Sequence, residues 1–390
     1  MDKTVIVIGC YVGGLGVIRS FANKPVKIIA LSYEKIDFAH HSKYVNAWYR
    51  IPHPRENEKE FIEFLMKNGE KWKDAVIFDT DDNTATSVSK NKKLLSKYYK
   101  IVSADWEYMS LFINKNKAWE IALKSDVPHP LNFIANSKAE FNKIKEDINF
   151  PCLLKPVRGH EFKGKFNVKN FEANNIEEYD KYVSLCLKEN QEIMVQEIIP
   201  GPDTNLFKCM TYINTKNQIS GLFFYNKIRQ NPPKFGVLRV CISAPNNDEV
   251  ERLFKLLLNG SGYKGFLTVE FKKDLRDGKL KFIEANVRMP RNIYLPLAAG
   301  VNFPWIIYKD LVDNEQLYLT KYNDHMYWIE IYSDLLNTIF RHSKEKYSLR
   351  EYISPYFSKN KAFAIWDLKD PLPFILQTFK LPRFLVSKKI

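Results

Sequence analysis

Three oxygen-bearing side chains fall on two neighbouring apolar runs in the middle of this 390-residue chain. Glu284 and Asn286 stand two residues apart in the run 281–288, so on a strand they share a face, with Ile283, Ala285 and Val287 expected behind them. Glu270 lies in the preceding run, 265–274, and the link Leu275-Arg276-Asp277-Gly278 has the composition of a hairpin turn. Two carboxylates and an amide oxygen are hard ligands, of the kind Mg2+ takes when phosphate and water oxygens complete its octahedron. Arg288, again two residues on, adds a fixed cation to that face. Whether the three oxygens can meet is a question of parity. A two-residue turn at Asp277-Gly278 would pair Glu270 with Ala285 and turn it away from Glu284, whereas a three-residue loop pairs Glu270 with Glu284. The chemistry therefore predicts an odd-numbered connection or an equivalent bulge, with Gly278 at positive φ.

The elements that must position this hairpin begin with an apolar run at 4–8, then Gly9-Cys-Tyr-Val-Gly-Gly-Leu-Gly16, a helical stretch to residue 22 and a second run at 26–31. This is the β-loop-α-β opening of a doubly wound domain, whose glycines would let backbone approach a ligand at a helix N-terminus. The glycine spacing is not that of a dinucleotide fingerprint, and no acidic residue directly ends the second run, so an NAD-dependent oxidoreductase is kept only as an alternative. The run 75–78 ends in Asp79-Thr80-Asp81-Asp82, acids that either orient an amine or hydroxyl or cap the next helix. A strand at 100–103 closes this domain.

A helix is expected over 113–125, with Lys115 near its start, then the turn Asp126-Val-Pro-His-Pro130, a strand at 131–134 and a helix over 137–146. The strand 152–156 ends in Lys155-Pro156 and runs into a polar loop carrying Gly159 and Gly164, which could fold over phosphates. A helix over 176–188 precedes a strand at 192–199 and the turn Pro200-Gly-Pro-Asp203. Strands follow at 207–213, 221–225 and 237–243, separated by a basic segment, 226–236. Lys227, Arg229 and Arg239, which flank Pro232-Pro233, are candidates for binding an acid or its phosphate. A helix over 248–258 leads into the central hairpin.

Composition narrows the class. An apolar fraction of 45% and an aromatic fraction of 14% exclude a disordered chain, and no apolar run approaches the length of a membrane span. The five cysteines and seven histidines show neither disulfide-scaffold nor zinc spacing. The opening Met-Asp-Lys-Thr runs straight into a strand, so the cytoplasm is the expected compartment. The net charge is +14, and residues 341–390 hold eleven Lys and Arg against four Asp and Glu. That basic tail is expected to touch a membrane's inner face or an anionic substrate, and a non-enzymatic protein binding membrane or nucleic acid is the second alternative.

Taken in chain order, these motifs resemble the ATP-grasp ligases from residue 4 to about 313. Lys115, thirteen residues before Pro128, matches a phosphate-contacting lysine, and Lys155 the lysine that holds the nucleotide's phosphates, with the loop of Gly159 and Gly164 as a flap. Gln196-Glu-Ile-Ile199 resembles the hinge that reads adenine, and either Glu197 or Asp203 the ribose-binding acid. Glu270, Glu284 and Asn286 fall on the family's magnesium ligands and Arg288 on the arginine that steadies the transferred group. Glu-Ala-Asn-Val-Arg replaces the usual Glu-x-Asn-Pro-Arg. Gly13-Gly-Leu-Gly-Val-Ile-Arg19 and His41-Ser-Lys-Tyr44 place the chain nearest to predicted carboxylate-amine ligases, the neighbourhood of D-aspartate ligase. The resemblance implies an α/β (α+β overall) ATP-grasp fold: a Rossmann-like pre-ATP-grasp domain at 1–112, a lid at 113–195, the metal-bearing subdomain at 196–320 and a helical, aromatic, basic extension at 321–390. It also implies ATP and Mg2+, with Mn2+ as substitute, and amide formation through an acyl phosphate between small carboxylate and amine substrates, an amino acid or a cell-envelope precursor among them. No nucleic-acid partner is expected, and a homodimer is a candidate assembly.

Overall fold

The computed structural model describes residues 3–135, 137–157, 162, 165–231, 236–259, 261–341 and 347–387. Gly159, Gly164, Pro232 and Pro233 lie outside the described residues. Three sheets organise the chain. The first is parallel, in the order β3 (Ala47–Arg50), β2 (Lys27–Ser32), β1 (Thr4–Ile8), β4 (Val76–Asp79) and β5 (Lys100–Ile101). Its central strands are continuous apolar runs because both faces are covered. Val5 and Val7 enter one buried cluster, and Ile6 and Ile8 enter another on the opposite face. The short edge strand β3 alternates partly buried with exposed residues, a pattern too weak to stand out in the sequence.

The second sheet is antiparallel, β6 (Asn132–Ile134), β9 (Ile193–Glu197), β7 (Cys152–Pro156) and β8 (Phe171–Ala173) in spatial order. β9 lies at its centre and runs through the boundary expected at 195/196. The third sheet has seven strands. Its spatial order is β14 (Leu280–Asn286), β13 (Gly265–Lys273), β10 (Leu206–Ile213), β11 (Ile219–Asn231), β12 (Val237–Ser243), β15 (Tyr327–Ile329) and β16 (Lys361–Phe363). β11 is much longer than the sequence suggested, because half of the supposed basic loop continues it and pairs with β12. The extension is not appended to the body, since β15 and β16 complete this sheet.

Two local features near the site follow from packing and capping. Gly13 and Gly16, after β1, serve close packing. The helix Val12–Ser20 is buried along its whole length, and a Cβ at Gly16 would come within 2.6 Å of Ile293, so the glycines let the helix settle on the segment that follows the hairpin. The helix expected over 113–125 is found at Lys115–Lys124, and the sequence reading missed the helix before it, Trp106–Ile113, which ends where Asn114 caps the next. The Asn114 side chain accepts the backbone N–H groups of Asn116 and Lys117 at 3.0 and 3.2 Å, and this cap fixes Lys115 in the first turn.

The two ends of the chain meet at one buried ion pair. Arg19 donates through Nε to Asp370 (3.1 Å) and through Nη2 to the Ile365 carbonyl (2.8 Å), while Asp370 also accepts from the Ser42 hydroxyl (2.8 Å) and the Lys43 N–H (3.0 Å). Removing one partner strands a buried charge, at a cost of about 3–5 kcal/mol. Asp370→Ala is therefore expected to lose stability on that scale in urea unfolding, and a loss below about 1 kcal/mol would show that this contact does not fasten the extension.

Candidate active site

The hairpin reaches the required register by a bulge. The connection is even: the Asp274 N–H donates to the Lys279 carbonyl (2.9 Å), the Gly278 N–H to the Asp274 carbonyl (2.8 Å), and residues 275–278 form the loop. Beyond it Lys273 pairs with Leu280, Lys272 with Lys281 and Phe271 with Phe282. Continued unchanged, that register would set Glu270 against Ile283. Instead it slips by one residue, bringing Glu270 opposite Glu284 and Thr268 opposite Asn286. Gly278 sits at φ 73°, as the turn demands. The extra residue is Ile283, whose side chain lines the cleft with the ligands rather than packing behind them, while Ala285 and Val287 do pack behind. The freed Phe282 N–H donates to the Pro128 carbonyl (2.7 Å), which ties the bulge to the proline turn that precedes β6.

Around this register, residues from separate elements converge. A cavity of about 260 Å3 is lined by Lys115, Lys155, Gln196, Lys227, Glu270 and Glu284 among others. It adjoins a larger one of about 520 Å3, whose lining shares Lys115, Lys155, Gln196 and Glu284 and adds Asn286 and Asp82. Glu270 is clamped by two lysines: Lys227 stands 3.2 Å from each carboxylate oxygen, and Lys208 pairs with Oε2.

No family model matches the chain. Over nearly its whole length it is similar to the D-aspartate ligase of Enterococcus faecium (strain Aus0004), 23% identical over 408 residues that cover 97% of this chain and 95% of that protein. Among solved structures, N5-carboxyaminoimidazole synthetase from Staphylococcus aureus, complexed with ADP, superposes with a TM-score of 0.67 at 16% identity, over 88% of this chain and 87% of that one. The L-amino acid ligase from Bacillus licheniformis gives 0.62 at 16% identity, over 80% and 74%. The chain has the ATP-grasp fold.

Within the ATP-grasp architecture the site is a field of opposed charges. Burial pushes the Glu284 carboxyl up, but Lys208, Lys227, Lys115 and Lys155 outweigh it and hold the group at about 2. Burial, reinforced by Lys115, pulls Lys155 down to about 8. Glu284 also accepts from the Asn286 amide at 3.3 Å. Among the described residues no three His, Cys, Asp or Glu converge as a metal-binding group. Two carboxylates and an amide are too few to hold a divalent ion unaided, and this hard-oxygen set fits an ion that arrives already carried by phosphate oxygens.

Other expected residues stand elsewhere. Arg229 and Arg239 line neither cavity: both are fully buried against Asp334, which accepts from Arg229 Nε and Nη2 at 2.9 and 2.8 Å and lies 3.7 Å from Arg239 Nε. Their charge is spent inside the protein, anchoring the helix Ile331–Arg341 to β11 and β12. Arg288 lines neither cavity and donates at 3.1 Å to Asp82, which lines the larger one. Glu197 is buried, accepting the Leu131 N–H (3.0 Å) and pairing with Arg276, whereas Asp203 lies on a surface turn outside both linings. Gln196 donates to Asn132 at 2.5 Å, and Ile199 lines the smaller cavity. Asp81 is a helix cap, accepting the N–H groups of Asn83 and Thr84, and burial pushes Asp79 up to about 7.

Lys208 escaped the sequence reading. Its signal was a lone lysine inside the otherwise apolar strand Leu206–Ile213, a position a charge holds only when paired.

Lys155 gives a pH signature. Its folded value near 8 lies below the unfolded 10.5, so between those values the native protein holds fewer protons than the unfolded chain, and stability rises with pH. Comparing urea midpoints at both ends of that window, wild type is expected to gain on the order of 1–2 kcal/mol more than Lys155→Met, the full linkage being discounted for partial solvent access. Equal gains would place the lysine in an ordinary solvent environment.

Proposed function

We infer that this protein is an ATP-dependent carboxylate-amine ligase that releases ADP and forms an amide. The observation that carries the reading is the bulge-set register that gathers Glu270, Glu284 and Asn286 into a lysine-lined cleft between two sheets. The similarity to a D-aspartate ligase along 97% of the chain supports it independently. In this reading Lys115 and Lys155 hold the phosphates of ATP, residues 196–199 form the edge against which adenine rests, and Glu197 or Asp203 takes the ribose. Glu270, Glu284 and Asn286 would hold Mg2+, which when bound neutralises the phosphate oxygens. Lys227 is the one cation of the three first considered for the acid that faces the cavity, and we assign it to the acid's carboxylate or the phosphoryl group it receives. Arg288, held by Asp82, is assigned to steadying that group.

The chain's own contribution is positioning and charge. The bound acid is held in line with the terminal phosphoryl group, which passes to a carboxylate oxygen; the amine then attacks the acyl carbon and phosphate leaves. The acid proposed is an amino acid, aspartate first, and the amine a cell-envelope precursor. An oxidoreductase reading draws no support from Gly13 and Gly16, which pack against residues 290–294.

Phosphate release should be screened with ATP, Mg2+, paired amino acids and amine acceptors. Lys155→Ala and Glu284→Gln are each expected to lower turnover by about 100-fold or more without loss of fold, since removing one such charged partner of a developing anion costs on that order. Turnover unchanged in both variants, or binding of NAD but not ATP in the presence of Mg2+, would overturn the reading.

A further inference from the structure

Eighteen large apolar side chains are exposed among the described residues, and eight of them fall within residues 335–379. They are ordered. On the helix Leu349–Phe357, Leu349, Ile353 and Phe357 recur at helical spacing and form one outward stripe, with Phe357 79% exposed. On the helix Leu372–Ser387, Leu372, Ile375 and Phe379 form a second, with Phe379 75% exposed. Leu368, 81% exposed, stands between the two helices.

The inner faces of the same helices are occupied. The Tyr352 and Tyr356 hydroxyls donate to Asp334 at 3.0 and 2.7 Å, and Phe374 stacks on Tyr332 with ring centroids 5.3 Å apart. Both helices thus pack on the helix Ile331–Arg341, which exposes Leu335 as well. The outward stripes are what remains after packing is complete, so core formation does not account for them.

Charge says what would cover them. Arg350, Lys359 and Lys369 are exposed beside Leu349, Phe357 and Leu368. Of the neighbouring acids, Asp370 is buried with Arg19 and Asp367 accepts from the Tyr294 hydroxyl, so Glu351, which accepts from Ser348 in a helix cap and stays exposed, is outnumbered by the three cations. A second copy of the chain, docking by two-fold symmetry, would set this basic patch against itself. No described helix is long and apolar enough to cross a membrane.

We propose that this face of the extension is an interfacial membrane-binding surface, its aromatic and aliphatic stripes entering the headgroup boundary of an anionic bilayer while the flanking cations meet lipid phosphates. The proposal goes beyond the ligase reading and stands without it. It is tested by sedimenting the full-length protein with vesicles of phosphatidylcholine alone or mixed with phosphatidylglycerol, at low and high salt. Binding is expected to the mixed vesicles only, to weaken as salt screens the cations, and to fall by about tenfold or more in the Phe357→Ser/Phe379→Ser double variant, which removes two exposed rings. Leu368→Ser, outside both helices, repeats the test should the double variant fold poorly. Equal binding to both vesicle types, or no loss in either variant, would overturn the proposal. So would a wild-type dimer in sedimentation equilibrium that the substitutions dissociate, which would make the patch a contact between copies. Phosphate release from soluble substrates, measured in parallel, reports the ligase site separately and is expected to be unchanged in the variants.

Discussion

The structure turns on how to keep several lysines together in a half-buried cleft. Two like charges roughly 6 Å apart in surroundings of effective dielectric near 20 repel by about 3 kcal/mol, so such a group is tolerable only around anions. Glu270 and Glu284 are those anions, and they face one another only because β14 carries one residue more than β13 past the turn. The bulge is therefore an electrostatic requirement expressed in backbone geometry. Its anchor, the Phe282 N–H bonded to the Pro128 carbonyl, ties the hairpin to the turn that follows the helix carrying Lys115.

The same logic explains which basic residues serve the cleft. Along β11 and β12 the pairing slips around Ile228 and Arg239, and on either side of the irregularity the charges part company. Lys227 turns to Glu270, while Arg229 and Arg239 turn to Asp334 on the opposite side. The Tyr347 hydroxyl donates to the Ile228 carbonyl at 2.9 Å, satisfying a group within the irregular stretch. The extension thus reaches the strand that carries a cleft lysine, and it is part of the scaffold of the site.

Much of this could be read from residue order. Apolar runs bounded by turn residues marked β1, β7, β12 and the helix Asp248–Leu258, and the two-residue alternation of Glu284 and Asn286 placed the oxygens before any coordinates. What could not be read has a common physical cause. Arg229 and Lys227 are both cations two residues apart in the sequence, and what separates their fates is the slip at Ile228 together with Asp334, more than a hundred residues away. Lys208 was silent because its partner, Glu270, is remote in the chain and comes opposite it only when β10 pairs with β13. The glycines after β1 suggested a ligand because glycine admits any close neighbour, and the sequence does not say whether that neighbour is a phosphate or Ile293. The hairpin bulge was expected as one of two ways to bring Glu270 opposite Glu284, whereas the slip at Ile228, with no such ligand requirement behind it, left no mark on either strand alone.

Arg19 and Asp370 stand 351 residues apart in the chain. A ribosome adding about 5–20 residues per second takes roughly 20–70 s to cover that distance. Through that interval the amino-terminal sheet can form its hydrogen bonds, but a cation destined for burial still has no anion, and the strands that finish the large sheet have not been made. The nascent protein therefore completes itself from its newest end, with the last helices closing over a body that has been waiting for them, and any pause or premature stop late in translation leaves the oldest part of the molecule open.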